Sequence, residues 1–174
     1  MFGEQKKVGT KTPPEIVDKE KLFGEIRNAL AEAGDRQVAL REVVRLLHEN
    51  HDHFDWTGIY LLDGDSLILS EFLGAPTVHK RIPVGEGICG AAVREKAILN
   101  IPDVNADPRY LACSVETKSE LVVPIMQGER VFGEIDIDSH RSAAFGPEDE
   151  AFLLKVADLL ADFLQGKKGM EESW

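Results

Sequence analysis

The hydrophobic period of this chain changes twice, and that double switch limits the folds open to it. Between residues 22 and 47 apolar side chains recur three and four apart, the spacing of a buried helical stripe. Leu22, Phe23, Ile26, Ala29, Leu30 and Ala33 predict a first helix, which Pro14 is placed to open and Gly34 to stop. Asp35 is a candidate N-cap for a second helix with Leu40, Val43, Val44 and Leu47 inward. The polar stretch Asn50-His51-Asp52-His53 ends it and reads as a solvated turn. From Asp55 the period falls to two. Residues 55–62 and 67–73 form a hairpin around Asp63-Gly64-Asp65, and a short strand covers residues 80–84. Gly85-Glu86-Gly87 opens a short helix, residues 97–101 return to strand, and residues 102–112 are irregular. Residues 121–126 and 131–138 make a second hairpin around Gln127-Gly128-Glu129-Arg130. Helical spacing comes back at Pro147, with Phe152, Leu153, Val156, Leu159, Leu160 and Phe163 facing inward. The order predicts an α+β domain with about six strands, mainly antiparallel, flanked by helices.

A chain of 174 residues suits a single domain, expected over residues 15–168 with a flexible arm at 1–14 and a tail at 169–174. Its 31 acidic residues exceed its 20 basic ones, for a formal charge of −11. That balance argues against unaided binding to nucleic acid or to an anionic membrane. No apolar run reaches the roughly 20 residues of a membrane span. The first eleven residues lack the apolar core of a secretory signal, which predicts a cytoplasmic protein. The 2 cysteines cannot form a disulfide framework or a four-thiolate zinc site. In a reducing compartment they are buried fillers or working thiols.

Cys89 falls in the predicted first turn of the short helix. The free amides and dipole there would stabilise a thiolate, whereas a small residue between Gly87 and Gly90 also fits simple burial. Cys113 ends the irregular segment, where filler and reactive thiol are equally open readings. In Gly133-Glu134-Ile135-Asp136-Ile137-Asp138, alternation puts Glu134, Asp136 and Asp138 on one face and the isoleucines on the other. A solvated sheet face explains this, but aspartate is a poor strand former, and paired carboxylates suit a ligand's ammonium group or a proton transfer. Trp56, Gly58 and Tyr60 share a face, the two aromatic residues about 13–14 Å apart along an extended strand. The glycine between them leaves room for an approaching group. His51, His53, His79 and His140 show no metal-ligand spacing, so no metal is assigned. Gly85, Gly87 and Gly90 lack the Lys-Ser/Thr of a phosphate loop.

Taken together, Arg81-Ile82-Pro83-Val84-Gly85-Glu86-Gly87-Ile88-Cys89-Gly90, Tyr110-Leu111-Ala112-Cys113, Ser119-Glu120-Leu121-Val122-Val123-Pro124, the acidic strand and Phe145-Gly146-Pro147-Glu148-Asp149-Glu150 resemble a GAF domain. The likeness runs over roughly residues 21–165. Within that family the motifs are most similar to the free methionine-(R)-sulfoxide reductases. The resemblance implies a thiol-dependent reductase of free methionine sulfoxide, with Cys113 as the attacking cysteine. It implies Glu120, Asp136 and Asp138 as ligands of the substrate's amino group or sulfoxide oxygen, Trp56 beside the methyl group, and Tyr60 shaping the pocket. No bound cofactor is implied. Thioredoxin or another dithiol would be the external reductant, and a homodimer the expected assembly. The family's third cysteine is replaced by His79, which leaves Cys89 or an outside thiol to resolve the sulfenic acid. A non-catalytic GAF module that binds a small ligand or senses redox state is the alternative. No Asn-Lys pair precedes residues 145–150, as in cyclic-nucleotide GAF domains, and neither cysteine is followed by the histidine common at bilin attachment sites.

Overall fold

A computed structural model describes residues 17–112 and 114–171, with side chains described as far as residue 166. Helix α1 (Lys19–Glu32) starts at Asp18, whose carboxylate accepts the Lys21 amide at 3.0 Å. The start expected at Pro14 is corrected by this cap, because a side-chain acceptor satisfies an orphan amide that proline can only omit. Asp35 caps α2 (Arg36–Glu49) as expected, accepting the Gln37 and Val38 amides. Pro147 opens α4 (Pro147–Glu171), with Glu148, Asp149 and Glu150 in its first turn, where the helix dipole favours negative charge.

Between these helices lie β1 (Trp56–Asp63), β2 (Ser66–Leu73), β3 (Arg81–Pro83), α3 (Gly87–Glu95), β4 (Leu99–Ile101), β5 (Ser119–Gln127) and β6 (Arg130–Ser139). The six strands form one antiparallel sheet in the order β3-β2-β1-β6-β5-β4. Segment 102–112, expected to be irregular, contains only a 3₁₀ turn, Val104–Ala106.

Strand alternation sorts the core into two layers. Ile59 of β1, Leu121, Val123 and Ile125 of β5, and Ile135 and Ile137 of β6 pack with α1, α2 and α4. The opposite face carries Trp56, Tyr60, Leu67 and Val122, covered by Ile88, Cys89, Ala92 and Val93 of α3. The Ile-x-Ile pattern of β6 therefore belongs to the larger core, and its acidic residues are turned toward α3. Among the described residues, no helix is long and apolar enough to cross a membrane.

The turn after α2 is not solvated as expected. His51 is buried, its Nδ1 donates to the Leu47 carbonyl at 2.8 Å, and its ring stacks on Phe54 with centroids 4.1 Å apart. Burial holds this imidazole below its ordinary pKa and therefore neutral. Half-buried His53 reaches the Asp149 carboxylate at 3.2 Å and ties the turn to the start of α4.

Gly133 lies opposite Leu61 at the centre of the sheet. A methyl group there would collide with the Tyr60 carbonyl oxygen and come within 3.0 Å of Leu61 Cα, both backbone atoms that no rotamer change can move. Gly133→Ala is expected to destabilise the fold by about 3 kcal/mol, read as a lower urea midpoint. A midpoint unchanged from wild type would show that β1 and β6 can separate locally at no cost.

Candidate functional site

Register across three strands builds the site. Trp56, Gly58 and Tyr60 of β1 stand opposite Asp138, Asp136 and Glu134 of β6. On the far side of β6, Glu120, Val122 and Pro124 of β5 pair with Asp138, Asp136 and Glu134 in the same order. Four carboxyl groups thus share one face of neighbouring strands, and α3 closes over them. The solvated-face reading of the acidic strand is overturned, since Glu134, Asp136 and Asp138 are 0%, 3% and 4% exposed. Glu120 is buried as well.

These groups are incompletely satisfied. Both oxygens of Glu134, Oδ1 of Asp136 and Oδ1 of Asp138 have no hydrogen-bond partner among the described residues. A buried carboxylate without partners meets a large desolvation penalty, which it escapes by holding its proton. Burial raises Asp136 to about 6, against hydrogen bonds with Glu120 and Cys89 that pull it down. Burial, reinforced by the charge of Asp136, pushes Glu134 and Asp138 well above the usual carboxylate range.

Cys89 points into this cluster from the third residue of α3. Its sulfur lies 3.3 Å from Asp136 Oδ2 and 3.7 Å from Glu120 Oε1. The helix can sit this low because Gly90 has no side chain. A Cβ there would lie 2.6 Å from the Pro83 carbonyl oxygen and 2.9 Å from the Gly85 nitrogen. The loop closes on itself, Gly85 N donating to Gly90 O at 2.8 Å and Gly90 N to Glu86 O at 2.9 Å. Of the two readings open for Cys89, a stabilised thiolate or a buried small residue, the first is corrected here and the burial is observed. Burial first, then the charges of Asp136, Glu134 and Glu120, push the Cys89 thiol well above its ordinary value. The dipole of a nine-residue helix does not offset a desolvated sulfur facing several acids.

Trp56 forms the apolar side. Its indole stacks on Phe72 at 5.6 Å, donates to the Ala75 carbonyl at 3.0 Å, and leans along the strand until its centroid is 6.4 Å from that of Tyr60. The room expected at Gly58 is taken by that same ring, since a Cβ on Gly58 would lie 2.5 Å from Trp56 Cζ3. Tyr60 is buried and its hydroxyl donates to the His79 carbonyl at 2.7 Å.

Next to the cluster a pocket of about 50 Å³ is lined by Asp55, Trp56, Thr77, Ser114, Thr117, Asp138 and His140, among others. Asp138 is the one member of the acidic cluster in that lining. Cys113 lies outside the described residues. Of its neighbours, Ser114 lines the pocket and Ala112 offers its carbonyl to His79 Nε2 at 3.2 Å.

Trp56, Tyr60, Cys89, Glu120, Asp136 and Asp138, singled out in the sequence, therefore meet on one side of the sheet. Glu134 was legible on the acidic face but had no assigned role, although it is the most deeply buried of the four acids. Ser114, Thr117 and His140 carry no sequence signal, because their place at the pocket depends on how the 102–118 connection crosses the sheet end. Among the described residues, Cys89, Glu120 and Asp136 bring metal-competent donors together from α3, β5 and β6. No local spacing could reveal them.

The GAF domain model matches residues 35–163. The free methionine-R-sulfoxide reductase of Escherichia coli K12 is 37% identical over 127 residues, covering 73% of this chain and 76% of that protein. GAF domain-containing protein A of Dictyostelium discoideum is 34% identical over 142 residues, covering 81% and 89%. The X-ray structure of free methionine-R-sulfoxide reductase from Neisseria meningitidis, in complex with its substrate, superposes with a TM-score of 0.82 at 31% identity, covering 87% of this chain and 91% of that one.

Proposed function

The chain belongs to the GAF domain family, and from that premise we propose that it reduces free L-methionine (R)-sulfoxide. The observation that carries this reading is a pocket lined by Trp56 and by Asp138, the latter one of a buried acidic cluster with unpartnered oxygens. A zwitterionic amino acid brings an ammonium group for Glu120, Asp136 and Asp138, and an apolar methylthio end for Trp56. The similarity to the reductases of Escherichia coli and Neisseria meningitidis supports the same choice of substrate.

In this reading the Cys113 thiolate attacks the sulfoxide sulfur. A proton from the carboxyl cluster goes to the departing oxygen, which is transferred to Cys113 as a sulfenic acid while the sulfur is reduced and methionine leaves. Asp136, raised to about 6, is suited to hold such a proton near neutral pH. Cys89 or an external thiol then condenses with the sulfenic acid, releasing water and forming a disulfide. Thioredoxin or another dithiol takes that disulfide back to two thiols. The reading includes a cytoplasmic homodimer and no bound cofactor.

The decisive assay offers purified protein the R and S epimers of methionine sulfoxide, and the N-acetylated R form, with a dithiol reductant. Methionine is expected from the free R epimer alone. Acetylation removes the ammonium charge and the charge-assisted hydrogen bonds it makes, so kcat/KM is expected to fall at least about 100-fold. Folded protein that turns over none of these compounds with any dithiol would overturn the assignment and favour a non-catalytic binding module.

A further inference from the structure

We propose that Cys89, Glu120 and Asp136 form a site for a thiophilic divalent cation such as Zn²⁺, bound in competition with the amino group of a substrate. The three donor atoms, one sulfur and two carboxylate oxygens, lie within 4.8 Å of one another, and all three residues are buried. A four-coordinate zinc with bonds of about 2.3 Å to sulfur and about 2.0 Å to oxygen holds those ligands about 3.5 Å apart. The distances from Cys89 Sγ to the two carboxylate oxygens, 3.3 and 3.7 Å, bracket that edge. Both sulfur–oxygen edges of the triad therefore fit such an ion.

A second observation points the same way. Asp136 Oδ1 and both oxygens of Glu134 are buried without hydrogen-bond partners, and they belong to the same acidic face as the triad. Glu134 is thereby available as a fourth ligand or as an acceptor for a metal-bound water. The Cys89 thiol gives up its proton to solvent when the metal–sulfur bond forms, and no electron is transferred. Thiolate selects zinc-like ions over Mg²⁺ and Ca²⁺, which prefer oxygen donors alone. Bound metal would occupy Glu120 and Asp136 and cover Cys89, so it would exclude an amino acid.

The metal site follows from the cluster itself, whereas its competition with an amino group rests on the reductase reading. The test uses reduced, metal-free full-length Cys113→Ser protein, which keeps Cys89 as its single thiol. Titration with Co²⁺ is expected to give a thiolate-to-cobalt charge-transfer band and the intense visible bands of a tetrahedral ion at one equivalent, with proton release. Zn²⁺ is expected to displace the cobalt, and excess Mg²⁺ to leave the spectrum unchanged. Loss of a group that only orients a metal ligand costs roughly 10–100-fold in metal affinity, so loss of a direct ligand in Cys113→Ser/Cys89→Ser protein is expected to cost more than about 100-fold and to remove the charge-transfer band. The near-isosteric Asp136→Asn change, made beside Cys113→Ser, is expected to weaken binding while keeping that band, which separates lost coordination from lost fold. Absence of the band, or a band that survives Cys89→Ser, overturns the site. Cobalt binding without methionine formation by the wild type would leave the metal site standing and remove the reductase, and the converse result would do the opposite.

Discussion

Asp136→Asn is expected to make the ligand-free protein more stable at pH 7 and nearly inactive. Burial raises the Asp136 carboxyl from 3.8 to about 6, so between these values the folded chain holds a proton that the unfolded chain has released. A group raised in this way contributes its full stability below the unfolded value and loses it as pH rises through the folded one. Across this shift the loss comes to about 3 kcal/mol at pH 7. Glu134 and Asp138 are displaced in the same direction and add to the trend at higher pH. Asparagine keeps the shape of aspartate without an ionisation to suppress. The variant is therefore expected to melt about 6–12 °C above wild type at pH 7, with the difference closing toward pH 4. It also loses the charge that would face the substrate's ammonium group and the proton that would reach the sulfoxide oxygen. A fall of at least about 100-fold in kcat/KM is expected, measured as methionine release. A variant less stable than wild type at pH 7, with turnover intact, would show that Asp136 is neither strained nor used.

That opposition between stability and activity explains which parts of the site were legible in the sequence. Periodicity identified the faces, since Ile135 and Ile137 reach the main core as their alternation required. It could not tell whether the opposite face met water or protein, because the answer depends on α3 lying across β5 and β6. The low position of α3 rests on the contact at Gly90 with the Pro83 carbonyl, a long-range consequence of a single missing methyl group. The same limit applied to Cys89. Its place at a helix start suggested a low pKa, but its actual neighbours come from strands 31 and 47 residues further along the chain. Trp56 was legible as an aromatic wall. The fold of its ring over Gly58 was not, because the empty space of a glycine is claimed as readily by a neighbouring side chain as by a ligand. His51 failed as a solvated turn residue for a comparable reason, its stacking partner Phe54 lying three residues on and facing inward.

The two cysteines are expected to separate cleanly when replaced one at a time. A thiol whose pKa is pushed well above its ordinary value is almost entirely protonated at pH 7, and the protonated form does not attack a sulfoxide. Under the proposed mechanism Cys89 is therefore a poor candidate for the first bond-forming step, which that mechanism gives to Cys113. Cys113→Ser is expected to lower methionine release by at least about 1,000-fold with any reductant, since the remaining thiol, Cys89, is held in its unreactive protonated form. Cys89→Ser is expected to keep the first turnover within about tenfold of wild type, because a hydroxyl can still donate to Asp136 and Glu120. Its later turnovers distinguish the two routes of resolution. If Cys89 forms the disulfide, the variant releases about one methionine per chain and then stalls with thioredoxin, while a small dithiol in excess restores cycling. If an outside thiol reduces the sulfenic acid directly, thioredoxin-linked turnover continues without Cys89. Rapid-quench measurement of the first methionine decides the attacking residue independently of either route. A burst that disappears with Cys89→Ser and persists with Cys113→Ser would exchange the two roles, and would require substrate binding to extract the proton that the empty site holds on Cys89.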